Sequence, residues 1–244
     1  ENNLLGKYGG QSKFGSEIPI TVLGIVMKIS QILNSIIIGI SAGAQPILGY
    51  NYGARKFERV KETLKIVLGL SVIISTIAFI LFQTIPDKLI SIFGSGDENY
   101  MEFACIAFRT YLMLCICNGI QIPSGIFFQA IGKSIKSAIL SLSRQILFLI
   151  PAMFTFGRLL GIKGVLYAGP FADGLAFILA TIFLIRGKSI KNILYLSYTC
   201  EIANLLSFAL WSEKQILGIP YFIIMIGGAI ILNMANRVKI KKIA

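Results

Sequence analysis

The stretch GAQPILGYNYGARK, residues 43–56, closes a long apolar run and leads directly into a cluster of cations. The apolar run covers about Ile18–Leu48, and the segment that follows, Asn51–Thr63, contains four Lys or Arg residues. A helix of about 20 apolar residues is long enough to cross ~30 Å of hydrocarbon. Lys and Arg collect in the loops on the cytoplasmic side of a membrane. The stretch therefore predicts a membrane helix that ends in a cytoplasmic loop.

The composition of the whole chain is that of a membrane protein. Hydrophobic residues make up 55% of its 244 residues and charged residues only 14%, whereas soluble domains carry about 25% charge. The net charge of +12 comes mostly from short segments between apolar runs, and not from the exposed basic face that a nucleic-acid binder needs. We therefore expect contact with a lipid bilayer and no nucleic-acid partner.

Six apolar runs are candidate membrane helices. Helices are predicted because a membrane-embedded backbone must satisfy its own hydrogen bonds. A weaker run, Ile193–Trp211, precedes the last of the six and leaves the number of crossings open between five and seven. The predicted fold class is all-α, a polytopic transmembrane helix bundle. The six runs are Ile18–Leu48, Leu64–Ile85, Met101–Ile131, Ile135–Phe156, Ile162–Ile185 and Ile216–Ala235.

Several kinds of catalytic site are excluded because the residues or motifs that they require are absent from the chain. The chain contains no His, which removes Ser-His triads and HExxH metal sites. Its four Cys form no CxxC pair and indicate buried apolar positions, neither a disulfide framework nor a metal site. The Gly132-Lys133-Ser134 sequence lacks the upstream Gly of a phosphate-binding loop, because Phe127 occupies that position. We expect neither an enzyme nor a bound metal.

Polar residues recur at helical spacing on the first, third and fourth runs. Such stripes either hold membrane helices together or line an aqueous cavity, and both interpretations are open for any single stripe. Three stripes, combined with Pro46 and Pro123 as expected helix breaks, favour a cavity. The candidate cavity residues are Gln31, Asn34, Gln45, Asn118, Gln121, Gln129 and Arg144.

Two opposite charges, Arg144 and Asp173, fall near the middle of the fourth and fifth runs. A charge at that depth is costly unless it is paired or hydrated. Because a short loop joins the two runs, they are predicted to be antiparallel neighbours. We therefore expect an ion pair between Arg144 and Asp173, with either a structural role or a role in coupling transport to an ion.

Residues 43–56 resemble the motif that closes the eighth helix of MATE (multidrug and toxic compound extrusion) transporters, in particular of the multidrug-export branch. Two further stretches, Phe128–Lys133 and Leu160–Val165 with the following Pro170, are similar to the same family. The resemblance covers about residues 1–190 and implies a C-terminal six-helix lobe, from the end of helix seven to helix twelve. Residues 191–244 are left as an additional hydrophobic tail with one or two possible membrane segments.

The resemblance implies a secondary active transporter of the bacterial cytoplasmic membrane. It would export drugs or organic cations by antiport against H+ or Na+, so that the coupling ion is the only expected cofactor. The missing N-terminal lobe would be its partner, since Glu1 suggests a chain that begins within a longer protein. Two alternatives are a lipid-linked oligosaccharide flippase of related fold and a non-transporting truncated remnant.

Overall fold

A computed structural model describes residues 2–10, 12–94 and 96–186, and nearly all of them are helical. The sixth predicted run and the predicted tail, residues 191–244, lie outside the described residues. The elements are α1 (Asn2–Gly9), α2 (Glu17–Gly53), α3 (Phe57–Thr84), α4 (Pro86–Ser91), α5 (Glu98–Tyr111), α6 (Cys115–Ala130), α7 (Ser134–Leu142), a π-helix, π1 (Ser143–Leu149), and α8 (Ile150–Arg186).

The described part of the chain has the apolar helices that the sequence predicts. Three segments are long and apolar enough to cross a membrane, namely Glu17–Gly53, Phe57–Thr84 and Ser134–Ile185. A fourth arises when α5 and α6, which are bent by 47° relative to each other, are taken as one span. The predicted all-α membrane bundle is confirmed, although α2 extends past Leu48 to Gly53.

The longest of these segments is a hairpin. Its 52 residues would extend ~78 Å as one straight helix, more than twice the thickness of the hydrocarbon core. The chain reverses at Gly161, whose φ of 61° and ψ of −137° suit glycine. A Cβ on Gly157 would lie 3.5 Å from Val165 Cγ2, so the two arms are in contact beside the turn. If each arm of this hairpin and the bent pair α5–α6 are each counted as one candidate span, residues 17–186 contain one candidate span for each of the first five predicted runs.

One face of α2 is buried against the rest of the bundle and the other is exposed. Val26, Leu33 and Ile37 are at most 4% exposed, and their spacings of seven and four residues place them on one side of a helix. Ile32 and Ile36 on the other side are about half exposed, at 56% and 48%. Large apolar side chains on an outer face are favourable in a bilayer, so the pattern agrees with a membrane-embedded helix.

Helix α6 is central to the bundle, since it packs against α2, α3, α7 and α8. It approaches α3 closely at Gly119, where an added Cβ would lie 2.7 Å from Ser75 Oγ and 2.9 Å from the Ser71 carbonyl oxygen. Small residues allow membrane helices to approach closely and gain van der Waals contact. Gly119 therefore sets the distance between α3 and α6.

Replacing Gly119 with alanine is expected to destabilise the chain by about 1–3 kcal/mol, because the new methyl group would push α6 away from the α3 backbone. Gly125→Ala is the matched control on the same helix, since a Cβ there meets nothing within 4 Å. The check is the midpoint of thermal unfolding of each variant in detergent. Equal midpoints for the two variants would contradict the predicted role of Gly119.

The expectation that Pro46 and Pro123 break their helices is wrong. Helix α2 continues beyond Pro46 to Gly53, and α6 continues beyond Pro123 to Ala130. A proline removes one backbone hydrogen bond, but the remaining bonds are strongly retained where no water is available to replace them. The bend between α5 and α6 instead falls at residues 112–114.

Candidate functional site

The ion pair between Arg144 and Asp173 is the most buried charge interaction that the structure shows in its described residues. Arg144 Nε donates to Asp173 Oδ1 over 2.5 Å. The Asp173 side chain is 6% exposed and the Arg144 side chain is 22% exposed. Because the two residues lie on opposite arms of the hairpin, 29 positions apart in sequence, the bond joins the arms in their middle portions. The contact predicted from the sequence is present, and its role stays a prediction.

Arg144 lies within π1, the seven-residue π-helix Ser143–Leu149. Turns of this kind are rare and occur frequently at functional sites. In a regular α-helix the ring of Pro151 would collide with the carbonyl group of Leu147, four residues earlier. A wider turn immediately before Pro151 relieves that contact. The pattern of apolar residues does not predict the π-turn, and Pro151 is the residue that could have indicated it.

Small residues surround Asp173 on its own arm. Ala172, Ala176 and Ala180 are fully buried, and a Cβ on Gly169 would lie 2.6 Å from the Tyr111 ring. Such a surface lets this arm of α8 pack closely on α5 and α6. Asp173 is therefore enclosed by tight helix packing, and Arg144 approaches it from the other arm.

The polar stripe on α6 faces the interior of the bundle. Asn118 and Gln121 are 3% and 6% exposed, whereas Gln129, in the last turn, is exposed. Gln121 Oε1 is buried without a hydrogen-bond partner among the described residues. Within the part of the chain that the structure describes, these two side chains are buried where α6 packs against neighbouring helices. Their predicted contact with substrate stays a prediction.

The polar stripe on α2 lies closer to the surface of the described bundle. Gln31 is exposed, and Asn34 and Gln45 are half-buried. At 3.6 residues per turn the three positions fall within a sector of about 60°. The structure thus places them on one side of α2, but it does not bring all seven predicted cavity residues into one site.

Comparison with known proteins gives these features a context. The MatE family model matches residues 11–155, which include α2 to π1. The chain belongs to the MatE family. Arg144 lies inside the matched region of this MatE chain and Asp173 lies outside it.

Two curated relatives of the MatE chain are multidrug export proteins named MepA. The protein from Staphylococcus aureus (strain MSSA476) is 26% identical over 189 residues, which are 77% of this chain and 40% of the relative. The protein from Staphylococcus saprophyticus subsp. saprophyticus is 25% identical over 171 residues, which are 69% of this chain and 37% of the relative. The MatE chain therefore spans about two fifths of the length of these relatives.

Solved structures of MATE transporters are also similar to this chain. The MATE multidrug transporter DinF-BH, solved in complex with R6G, is 35% identical, with a TM-score of 0.65 over 72% of this chain and 40% of that chain. A MATE family multidrug resistance transporter in an outward-facing conformation is 18% identical, with a TM-score of 0.67 over 75% of this chain and 41% of that chain. The second likeness is one of fold alone. The MatE chain has the fold of part of a MATE transporter.

Proposed function

We propose that this chain is one lobe of a secondary active transporter that exports drugs or organic cations across a bacterial cytoplasmic membrane. The observation that carries the proposal is the similarity in sequence and fold to MATE multidrug transporters, including the 35% identical DinF-BH. Proteins of this kind are transporters and not enzymes, which supports a function without catalytic residues. The proposed partner is a second lobe, for which the additional length of the relatives leaves room.

The proposed substrate surface is the polar sector of α2. Gln31, Asn34 and Gln45 occupy this sector, and large apolar side chains such as Ile38, at 46% exposure, lie on the outer surface of the same helix. Bulky organic cations suit walls that are mostly apolar and contain a few polar groups. A second lobe facing α2 would enclose this sector and complete a cavity.

The proposed coupling element is the pair of Arg144 and Asp173. Antiport against H+ or Na+ requires a group that binds the ion in one state and releases it in another. A proton or a sodium ion that reaches Asp173 would compete with Arg144 for the same carboxylate oxygen. Exchange between Arg144 and the ion would loosen the contact between the two hairpin arms and so link ion binding to a change of conformation.

The test is efflux of ethidium from a drug-sensitive bacterium that lacks its own exporters. Cells would express either this chain alone or the longest open reading frame that contains it. We expect the longer product to lower the steady-state ethidium fluorescence several-fold, and a proton uncoupler or removal of Na+ to abolish the effect. The two treatments separate the two possible coupling ions.

The matched control is the membrane content of each product, measured by an epitope tag. If both products reach the membrane and neither exports ethidium or related organic cations, the proposal of an ion-coupled exporter fails. Export that persists without either ion gradient would overturn the coupling part alone.

A further inference from the structure

Two turns at the same end of the bundle have the same backbone design. Arg55 follows the C-cap of α2 at a φ of 57°, and the Lys56 amide donates to the Asn51 carbonyl oxygen over 2.9 Å. Gly132 follows the C-cap of α6 at a φ of 75°, and the Lys133 amide donates to the Phe128 carbonyl oxygen over 2.8 Å. Both are Schellman turns, and each places a lysine at the position that starts the next helix.

The two turns are close to each other in space. A Cβ on Gly49 would lie 3.1 Å from the Ala130 carbonyl oxygen, so α2 and α6 are in contact near their C-terminal ends. Arg55 and Lys133 follow these contact points by a few residues. Since the turns are fixed by backbone hydrogen bonds, their cations are presented from a rigid base at one end of the bundle.

Arg55 occupies a conformation that favours glycine. Among the described residues it is the only residue other than glycine with a positive φ, and such a conformation is unfavourable for an L-residue. Gly132 occupies the equivalent position at the end of α6 without that cost. The Arg55 side chain is exposed and contributes nothing to the core. We therefore infer that the positive charge is what arginine contributes at this position.

The surface around these turns has a large excess of positive charge. We call the cations of the two turns and of the adjacent helix starts the basic rim. The residues from 54 to 65 and from 131 to 137 contain seven Lys or Arg against two Glu, and Glu58 is paired with Lys61 at 2.6 Å. The ammonium group of Lys136 lies 5.6 Å from the centroid of the Phe128 ring. The basic rim consists of Arg55, Lys56, Arg59, Lys133 and Lys136.

Exposed apolar side chains alternate with these cations. Tyr50 is 74% exposed, Phe57 is 50% exposed and Ile135 is 76% exposed. Phe57 directly follows Lys56, and Ile135 lies between the two lysines of the second turn. A surface that combines fixed cations with exposed large apolar groups complements an amphiphile better than it complements a free anion.

We propose that the basic rim binds the headgroup phosphate of an anionic phospholipid in the adjacent leaflet. The cations contact the phosphate oxygens, and the exposed apolar groups of Tyr50, Phe57 and Ile135 contact the upper part of the acyl chains. Clusters of basic residues next to membrane helices attract anionic lipids, with about 1 kcal/mol for each Lys or Arg near the surface. The site is independent of the proposed export activity.

The test measures binding of phosphatidylglycerol to the purified full chain by native mass spectrometry, with phosphatidylcholine of the same acyl chains as the comparison. We expect phosphatidylglycerol to bind at least tenfold more tightly. The variant Arg55→Gly/Lys133→Gln should lower that affinity about 25-fold, or about fivefold for each cation removed. Arg55→Gly also places glycine at the positive φ, so the variant should fold at least as well as the parent chain.

The matched control is Lys88→Gln/Lys163→Gln, which removes two exposed cations from the opposite end of the bundle and should leave the affinity unchanged. Equal affinity of the parent and the rim variant would overturn the proposal. A loss of binding in the control that matches the loss in the rim variant would overturn it as well. Competition by millimolar inorganic phosphate as effective as competition by the lipid would show a free-anion site instead.

Discussion

Replacing Arg144 with methionine is expected to destabilise the chain by about 3–5 kcal/mol, because it leaves a buried carboxylate without its cation. The Asp173 side chain is only 6% exposed, so water is a poor replacement for the guanidinium group. The expected effect is measured as the free energy of unfolding of the full chain, obtained by titrating the purified protein with sodium dodecyl sulfate in mixed micelles. Unchanged stability of Arg144→Met would contradict the prediction.

A double variant separates the cost of an unpaired charge from the contribution of the pair itself. Arg144→Met/Asp173→Leu removes both charges, and we expect it to regain most of the lost stability, since apolar groups often replace a buried ion pair without loss. The same variant also tests function. A stable double variant that no longer exports ethidium would assign the pair to coupling, whereas a stable variant that still exports would make the pair structural.

Replacing Gly164 with alanine is expected to destabilise the hairpin by about 3 kcal/mol or more. An added Cβ would overlap the carbonyl group of Phe156, and this obstacle is backbone that cannot rotate away as a side chain can. The arms would have to separate close to the turn at Gly161, and the packing between them would be lost in addition to the usual cost of an oversized residue. Thermal unfolding in detergent, followed by circular dichroism, measures the effect.

The control for this variant is Gly43→Ala in α2. A Cβ at Gly43 meets nothing within 4 Å, and alanine favours a helix over glycine by about 1 kcal/mol. The same change from glycine to alanine is therefore expected to lower the stability at position 164 and to raise it at position 43. If Gly164→Ala unfolds at the same temperature as the parent chain, the close contact between the two arms is not required for the fold.

The helical hairpin shows which parts of the fold are predictable from sequence. The runs on either side of residue 161 are each long enough to cross a membrane, and a 52-residue helix would be far too long for one crossing. Opposite charges at Arg144 and Asp173 then require pairing, because an isolated charge in hydrocarbon is costly. Length and charge are local properties, and for that reason they are sufficient to predict the hairpin and its ion pair.

The orientation of polar stripes is not predictable in the same way. Asn118 and Gln121 have the spacing of residues that line a cavity, but α6 is enclosed by four helices and these side chains are buried. The spacing specifies which residues share a helix face, and it contains no information on what that face contacts. The effect of Pro46 and Pro123 depends likewise on the surroundings, because the remaining backbone hydrogen bonds are retained where no water is available to replace them.

The π-turn at Ser143–Leu149 affects how the helical segments before and after it are oriented relative to each other. The hydrogen bonds of a π-turn span one residue more than those of an α-helical turn. A π-turn can therefore accommodate one additional residue locally. The faces of α7 and of the first arm of α8 keep the relative orientation that they would have without the insertion. The π-turn therefore marks a place beside the Arg144–Asp173 contact where one additional residue fits without disturbing the packing on either side.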